Sequence, residues 1–289
     1  MARKHWYVKP QAEDLKIVLG RYQRYLKDSG LRDATIEGYL SYLRRFLVFA
    51  GEPSPSLSKA DEYRESLLTR NLSRQTVNNA CIAIKNYYKM SGEEFSFKFL
   101  SSNKTIPFFF DQDDVLKIFA AATQNIKHMA MLKVLFYCSL RASEICRLED
   151  KDIDFKSMVI KIRNGKGGKD GIVYLTDDCI RTLRRYLEVR PPLEIDSKKP
   201  LFYTDYENFW DRRDVYRMFI HYKKRAGIVK PGGLHVFSRH SPATMLIKNG
   251  CDLRIVKDIM RHNDIATTLR YAHVADETRR AAYEKAMIL

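Results

Sequence analysis

The sequence predicts a mainly α-helical protein with one small β-hairpin. Apolar side chains recur every three to four residues through most of the chain, which is the spacing of amphipathic helices. Two segments, "SMVIKIR" and "GIVYL", are instead strand-like, and "NGKGGKD" between them is typical of a turn. A chain of 289 residues exceeds the usual size of one domain, so we expect two domains.

The first predicted domain, residues 1–105, contains four helical patterns. They lie in "DLKIVLGRYQRYL", "TIEGYLSYLRRFLVF", "ADEYRESLL" and "TVNNACIAIKNYYKM". Thr35 and Ser73 are predicted N-caps, because a hydroxyl oxygen at a helix start can accept from free backbone N–H groups. The segment "FSFKFLSSNKTIPFFF" breaks the helical spacing, and Pro107 within it favours an extended linker.

The second predicted domain, residues 106–289, is helical around the hairpin. The stretch "DQDDV" predicts a helix that begins near residue 112, with its acidic side chains capping the helix rather than binding a metal. After the hairpin and the turn-prone stretch "PPLEIDSKKP", the helical spacing resumes to the C-terminus. The domain is therefore predicted to be α+β.

The charge of the chain favours a nucleic-acid partner. The formal net charge is +16 and the isoelectric point is about 9.6. Basic residues exceed acidic residues in both predicted domains, which a single basic tail would not produce. Neutralising phosphates releases counterions and drives association. The alternative is a basic surface that serves only solubility.

Cysteine usage and hydropathy indicate a cytoplasmic protein. The five cysteines form no Cys-x-x-Cys pair, which favours reduced thiols over a zinc ribbon or a disulfide scaffold. The N-terminal stretch "MARKHWYVKP" lacks the apolar core of a signal peptide. The longest apolar run, around residues 129–138, is interrupted by Lys133 and is too short to span a bilayer. We therefore expect a soluble protein without a membrane segment.

Two motifs place basic side chains at a helix start and on a glycine-rich turn. In "SLRASEICRL", Arg141 and Glu144 are one helical turn apart, so the carboxylate could orient the guanidinium; the alternative is an ordinary surface ion pair. In "GKGGK", Lys166 and Lys169 lie on a glycine turn that could reach into a DNA groove. This turn does not match a phosphate-binding Walker loop, and a solvated turn is the alternative.

Two further motifs bring imidazole, guanidinium and phenol groups together. In "LHVFSRHSPATML", His235, Arg239 and His240 precede an apolar helix, without the spacing of a zinc site. In "MRHNDIATTLRYAH", His262 precedes Tyr271 by nine residues. Each motif is weak alone.

In order along the chain, these motifs resemble those of the tyrosine recombinase (integrase) family, especially its Xer-like members. The match runs from "LRASE" through "GKGGK" and "HSPATML" to "RHNDIATTLRYAHV". The separations of 23 residues from Arg239 to His262 and nine from His262 to Tyr271 also agree. The resemblance implies a four-helix core-binding domain at residues 1–105 and a catalytic domain at 106–289. In this family the two domains clamp double-stranded DNA.

The resemblance also implies roles for single residues. Six side chains correspond to catalytic positions of the family: Arg141, Lys166, His235, Arg239, His262 and Tyr271. Tyr271 corresponds to the nucleophile, Arg141 and Arg239 to the arginines that bind the phosphate, and Lys166 to the lysine that protonates the leaving oxygen. The implied product is a 3′-phosphotyrosyl link with a free 5′-hydroxyl, formed without ATP, metal or other cofactor.

Two positions depart from the family pattern. Arg261 stands where the family usually has glycine, and the usual His-x-x-Arg is here His235-x-x-x-Arg239, with Val236 in the register position. We expect the preceding loop to absorb the extra residue as a bulge, because a loop does so more cheaply than a packed helix. His235 is then favoured over His240 as the first catalytic histidine.

Two alternatives remain, one that shares the fold and one that shares the chemistry. One is a DNA-binding protein that has lost cleavage, and the other is a type IB topoisomerase-like enzyme that relaxes DNA without recombination. A metal-dependent transposase is disfavoured, because no acidic triad is evident.

Contacts to DNA and to other subunits follow from the same resemblance. The DNA contacts that we expect outside the catalytic positions are Arg44, Arg45, Arg74, Gln75 and Lys169. The C-terminal stretch "DETRRAAYEKAMIL" predicts a short amphipathic helix, which in this family docks on the neighbouring subunit. A homotetramer on DNA is therefore implied. The alternative is a helix that packs on its own domain.

Overall fold

The computed structural model describes residues 12–101, 108–163, 170–271, 283–284 and 287. The chain divides into two compact units, Met1–Lys104 and Thr105–Leu289. The described residues are mostly helical and include one small sheet, so the predicted fold class is confirmed. Among them, no helix combines the length and the apolar character needed to cross a membrane.

The first unit is built from four helices over its described residues. They are α1 (Ala12–Asp28), α2 (Asp33–Ala50), α3 (Leu57–Thr69) and α4 (Arg74–Met90). Their apolar faces share one core that contains Leu43, Phe46 and Tyr88. The hydroxyl of Tyr22 is buried in this core and donates to the carbonyl of Ala83 at 2.7 Å, which joins α1 to α4. The predicted helical patterns correspond to these helices.

Of the two predicted N-caps, the structure confirms Ser73 and contradicts Thr35. The Ser73 hydroxyl accepts from the backbone N–H of Thr76 at 3.1 Å and caps α4, as predicted. Thr35 does not cap α2, because the helix begins two residues earlier, at Asp33, with Arg32 as its N-cap residue. The carboxylate of Asp33 in the first turn suits the positive end of the helix dipole.

The second unit surrounds a larger core. Its helices are α5 (Gln112–Ala121), α6 (Ile126–Tyr137), α7 (Ala142–Ile145), α8 (Asp177–Val189), α9 (Arg212–Arg225), α10 (Ser241–Lys248), α11 (Leu253–Ile259) and α12 (Ile265–Leu269). The aromatic rings of Phe119, Phe136, Phe219 and Phe237 pack against one another in this core. They join α5, α6 and α9 to the segment that precedes α10.

The predicted hairpin is present and belongs to a three-stranded antiparallel sheet. Its strands are β1 (Ile153–Asp154), β2 (Val159–Ile162) and β3 (Gly171–Tyr174), in that order. Ile160 of β2 lies opposite Val173 of β3, and both are buried. The strand β1 was not predicted, because two residues carry no detectable alternation. Lys166 and Lys169, which lie between β2 and β3 in the sequence, are outside the described residues.

The acidic cluster at the start of α5 acts as a cap, as predicted. Asp111 accepts from the backbone N–H of Asp114 at 3.0 Å, and Asp114 accepts from that of Asp111 at 3.2 Å. The ammonium group of Lys230 lies 2.6 Å from each carboxylate. These contacts fix the beginning of α5.

The expected loop bulge before α10 was wrong. Residues Val236–His240 form a π-helical turn that runs directly into α10. The backbone N–H of Ser241 donates to the carbonyl of Val236, five residues back. A π-helical turn takes up one extra residue while its backbone groups stay hydrogen-bonded, so the helix itself accommodates the insertion.

Candidate active site

A pocket in the second unit brings together most of the residues that the motifs singled out. Its volume is about 280 Å³. The residues that line it are Arg141, His235, Arg239, His240, Arg261, His262, Asn263, Asp264, Thr267, Arg270 and Tyr271. Five of the six predicted catalytic residues are therefore in one place, and the sixth, Lys166, lies outside the described residues.

Arg141 is oriented by a buried carboxylate at the start of α7. Glu144 accepts from the backbone N–H of Arg141 at 2.8 Å and from its Nη1 at 2.7 Å. The Glu144 side chain is only 1% exposed and that of Arg141 22%, so water screens this pair much less than an exposed one. The alternative of an ordinary surface ion pair is therefore wrong, and the predicted orienting role fits the geometry.

Arg239 is 2% exposed and ties two neighbouring segments together. Its Nη1 donates to the carbonyl of Ser139 at 2.6 Å, and its Nη2 donates to the carbonyl of Met260. Ser139 lies two residues before Arg141, and Met260 lies two residues before His262. A guanidinium has five N–H donors, so these two bonds leave others for an anion. Burial, followed by the charge of Arg141, lowers the pKa of Arg239.

Tyr271 lies just after α12 and is 3% exposed. Its ring belongs to a small apolar cluster with Ala243, Ile247, Val256 and Met260. Its hydroxyl contacts the Nδ1 atom of His240. Burial raises the pKa of the phenol, whereas the nearby charges of Arg239 and Arg270 lower it. The phenol is thus held in an apolar setting with a base as its hydrogen-bond partner.

Of the two candidate histidines, His240 is the one that reaches Tyr271. The rings of His235 and His240 are 4.9 Å apart and almost perpendicular. Burial, followed by the charge of His235 and of Arg270, lowers the pKa of His240 to about 4, so this ring is neutral at pH 7. Both His240 and Arg239 line the pocket, together with His235.

His262 is held by α12. Its Nδ1 lies 2.9 Å from the hydroxyl oxygen of Thr268, a fully buried residue of α12. Burial, followed by the charges of Arg239 and Arg141, lowers the pKa of His262 to about 4. The ring is therefore neutral at pH 7. Its Nε2 atom takes no part in the hydrogen bond with Thr268.

Arg261 occupies a backbone position that normally favours glycine. The N–H of Arg261 donates to the carbonyl of Asp258 and that of His262 to the carbonyl of Lys257, both at 3.0 Å. This pattern ends α11 in a Schellman motif, and Arg261 has the left-handed φ of +50° that the motif requires. A side chain there costs about 1 kcal/mol relative to glycine. Its Nη2 donates to the carboxylate of Glu144 at 2.6 Å.

Comparison with known proteins identifies the family of this chain and agrees with its fold. The model of the "Phage integrase family" matches residues 109–278, and that of "Phage integrase, N-terminal SAM-like domain" matches residues 18–93. The tyrosine recombinase XerA of Pyrococcus horikoshii is 30% identical over 279 residues, which cover 94% of each chain. This chain belongs to the phage integrase family. It is a tyrosine recombinase of the Xer-like type, so the predicted family is confirmed.

Solved structures of recombinases have the same fold. The XerH site-specific recombinase bound to difH substrate superimposes with a TM-score of 0.75 at 19% identity, covering 98% of this chain and 99% of that one. The Tn1549 transposon integrase in complex with transposon right end DNA gives a TM-score of 0.72 at 21% identity, covering 94% and 99%.

The sequence reasoning missed Thr268, which contacts His262, and Arg270, which lines the pocket of the recombinase. Thr268 left no sequence signal, because its contact with His262 exists only once α12 packs back on the pocket. Arg270 precedes Tyr271 directly, and its charge lowers the pKa of both Tyr271 and His240. That adjacency was a signal that could have been used.

The predicted DNA contacts of the first unit lie on exposed helix surface of the recombinase. Arg44 and Arg45 are exposed on α2 and line a groove together with Arg70. Arg74 and Gln75 are exposed in the first turn of α4. Their contact with DNA stays a prediction.

No group of three or more His, Cys, Asp or Glu side chains in the described part of the recombinase is arranged to hold a metal ion.

Proposed function

We propose that this protein is a site-specific DNA recombinase that cleaves and rejoins DNA strands through Tyr271. The observation that carries this proposal is the contact between the Tyr271 hydroxyl and His240 in a pocket that also holds Arg141, Arg239 and His262. A nucleophile, a base and two cations for one phosphate are thus within a single pocket.

The attack forms a bond between the Tyr271 oxygen and phosphorus and breaks the bond from phosphorus to the 5′-oxygen. The phenol proton passes to Nδ1 of His240, which can accept it because burial keeps this ring neutral at pH 7. The 5′-oxygen takes a proton, which we assign to Lys166 on the basis of the motif alone. The 3′-phosphotyrosyl link conserves the bond energy, so rejoining by the reverse step needs no ATP.

The arginines supply the charge that the transition state requires. Attack on a phosphodiester builds negative charge on the non-bridging oxygens, and guanidinium groups bind such oxygens in a planar fork. Glu144 holds Arg141, and two carbonyls hold Arg239, so neither must be ordered during the reaction. When Nδ1 of His262 accepts from the Thr268 hydroxyl, its Nε2–H is free to donate to the same oxygens.

Double-stranded DNA is the partner that the charge and the related proteins support. The net charge of +16 favours phosphate binding. The Tn1549 integrase of the same fold is described in complex with DNA. We assign residues 1–105 to core binding and residues 106–289 to catalysis, with the two domains clamping opposite faces of the duplex.

We further propose that the protein assembles as a homotetramer on two DNA sites. The C-terminal helix would dock on the neighbouring subunit and couple one active site to the next. Most of residues 276–289 lie outside the described residues, so this assignment rests on the resemblance to the family.

The test is a suicide substrate, a DNA site with a nick close to the scissile phosphate, so that the cleaved end diffuses away. We expect a covalent protein–DNA complex to accumulate in EDTA, and Tyr271→Phe to abolish it while site binding persists. Absence of the complex for the wild-type protein would support the cleavage-deficient alternative. Recombination between two duplexes, compared with relaxation of one supercoiled plasmid, separates a recombinase from a topoisomerase-like enzyme.

A further inference from the structure

Arg261 and Arg141 share one buried carboxylate. Nη1 of Arg141 donates to Oε1 of Glu144 at 2.7 Å, and Nη2 of Arg261 donates to Oε2 at 2.6 Å. The three side chains are 22%, 1% and 15% exposed for Arg141, Glu144 and Arg261, respectively. Each oxygen of the carboxylate therefore serves a different guanidinium, largely out of water.

A carboxylate at this place has two opposite effects on an anionic substrate. It orients Arg141, which helps binding, but its own negative charge cancels much of the attraction between Arg141 and a phosphate. In a poorly solvated site that cancellation is large, because water does not screen it. With glycine at position 261, Glu144 would lose its ion pair with Arg261 and keep the one with Arg141.

We propose that Arg261 is a positioning residue that balances the charge of Glu144 and so leaves the charge of Arg141 available to the scissile phosphate. The inference rests on the proposed function, since it takes Arg141 to be a phosphate ligand. It also gives a reason for a bulky side chain at a left-handed position that glycine would occupy at lower cost.

The sheet makes room for this arrangement. A Cβ atom added at Gly171, the first residue of β3, would lie 2.8 Å from Cδ of Arg261. That distance is shorter than van der Waals contact, so a larger residue at position 171 would force the Arg261 side chain to shift from its present path to Glu144. We therefore expect substitutions at Gly171 and Arg261 to have non-additive effects.

The first experiment measures single-turnover cleavage of the suicide substrate at saturating protein. We expect Arg261→Gly to slow cleavage about tenfold or more, the scale of one charge-assisted hydrogen bond, with site binding nearly unchanged. Arg261→Lys should recover most of the rate. Adding Glu144→Gln to Arg261→Gly should also recover part of it, because the uncompensated negative charge is then removed. Arg254→Ala, on the exposed side of α11, is the matched control for loss of an arginine.

A purely structural role for Arg261 gives the opposite result for the double variant. Each substitution would then disturb the packing further, and Glu144→Gln would slow Arg261→Gly again. That outcome, or cleavage by Arg261→Gly at the wild-type rate, would overturn the proposal. Gly171→Ala supplies a second check: it should slow the wild-type protein but have no added effect in the Arg261→Gly background.

Anion binding decides the inference even without cleavage. In the Tyr271→Phe background, inorganic phosphate can be titrated while the ring signals of His240 and His262 are followed by NMR. We expect Arg261→Gly to weaken phosphate binding about tenfold, and Glu144→Gln to restore part of it. Equal affinities with and without Arg261 would refute the charge-balancing role, whereas a failure of the proposed function would appear as wild-type protein that binds phosphate but forms no covalent complex.

Discussion

The hydroxyl of Tyr271 contacts Nδ1 of His240, although 31 residues separate the two in the sequence. His240 ends the π-helical turn before α10, and Tyr271 follows α12. Tyr271 belongs to the same buried apolar cluster as Ala243 and Ile247 of α10, the helix that His240 directly precedes. The packing of α10 and α12 thus sets the distance between the imidazole of His240 and the phenol of Tyr271.

His240→Ala should therefore slow cleavage more than His235→Ala does. Removal of a general base costs about 10²-fold or more in rate, whereas His235 does not contact the phenol in this arrangement. The measurement is single-turnover cleavage of the suicide substrate, with site binding as the control for folding. A clear loss in the His235 variant alone would restore the assignment that the sequence favoured.

The two arginines should differ in their effect on stability. Arg239→Ala leaves the carbonyls of Ser139 and Met260 without their donor, at about 1–3 kcal/mol for each buried group. Arg141→Ala removes one partner of the buried Glu144 carboxylate, but the ion pair of Glu144 with Arg261 remains. We expect both variants to lose cleavage and only Arg239→Ala to lower the melting temperature by several degrees. Equal melting temperatures would contradict this structural role of Arg239.

Combining these two substitutions gives a sharper test. Because Arg239 binds the carbonyl two residues before Arg141, its loss should also misplace Arg141. The double variant should then cleave about as slowly as Arg239→Ala alone. Fully additive losses would show that the two arginines act independently.

Two of the three pocket histidines, His240 and His262, should make the protein less stable in mild acid. His240 and His262 have pKa values of about 4 in the folded protein, below the usual value of about 6.5. The folded state therefore binds fewer protons than the unfolded state between these values, so stability falls as the pH drops from about 6.5 towards 4 and is unaffected above. NMR of the free protein should show neither ring titrating between pH 8 and about 5. Titration near pH 6.5 would contradict the burial of these rings.

Arg44 and Arg45 should contribute to the salt dependence of DNA binding. Each lysine or arginine that contacts a phosphate adds about one to the slope of log K against log salt, so Arg44→Ala/Arg45→Ala should reduce the slope by about one to two. Arg24→Ala, an exposed arginine on α1, serves as the control. An unchanged slope in the double variant would remove these residues from the DNA interface.

Deletion of residues 276–289 should impair recombination between two sites more than binding to one site. The reason is that a docked helix joins subunits and contributes little to the contact of one subunit with DNA. The two quantities can be compared by gel shift on one site and by a two-duplex recombination assay. An undiminished recombination rate would place the helix on its own domain instead.

Local sequence determined most of the architecture. Helical spacing located α1 to α4, the acidic cap located the start of α5, and alternation with a glycine turn located β2 and β3. These features follow from neighbours within about ten residues, which is why one sequence is enough to predict them. The order and separation of the motifs likewise led to the correct family.

Tertiary structure decided which side chains meet in the pocket. Residue spacing assigned the extra residue before Arg239 to a loop and favoured His235, whereas the packed helix takes it up as a π-helical turn and directs His240 to Tyr271. In the sequence Arg261 was only a departure from the usual glycine. In the structure its side chain forms an ion pair with Glu144, which is 117 residues away in the chain. Burial then lowers the pKa values of the histidines. These properties depend on contacts between distant segments and on exclusion of water, and neither exists until the chain has folded.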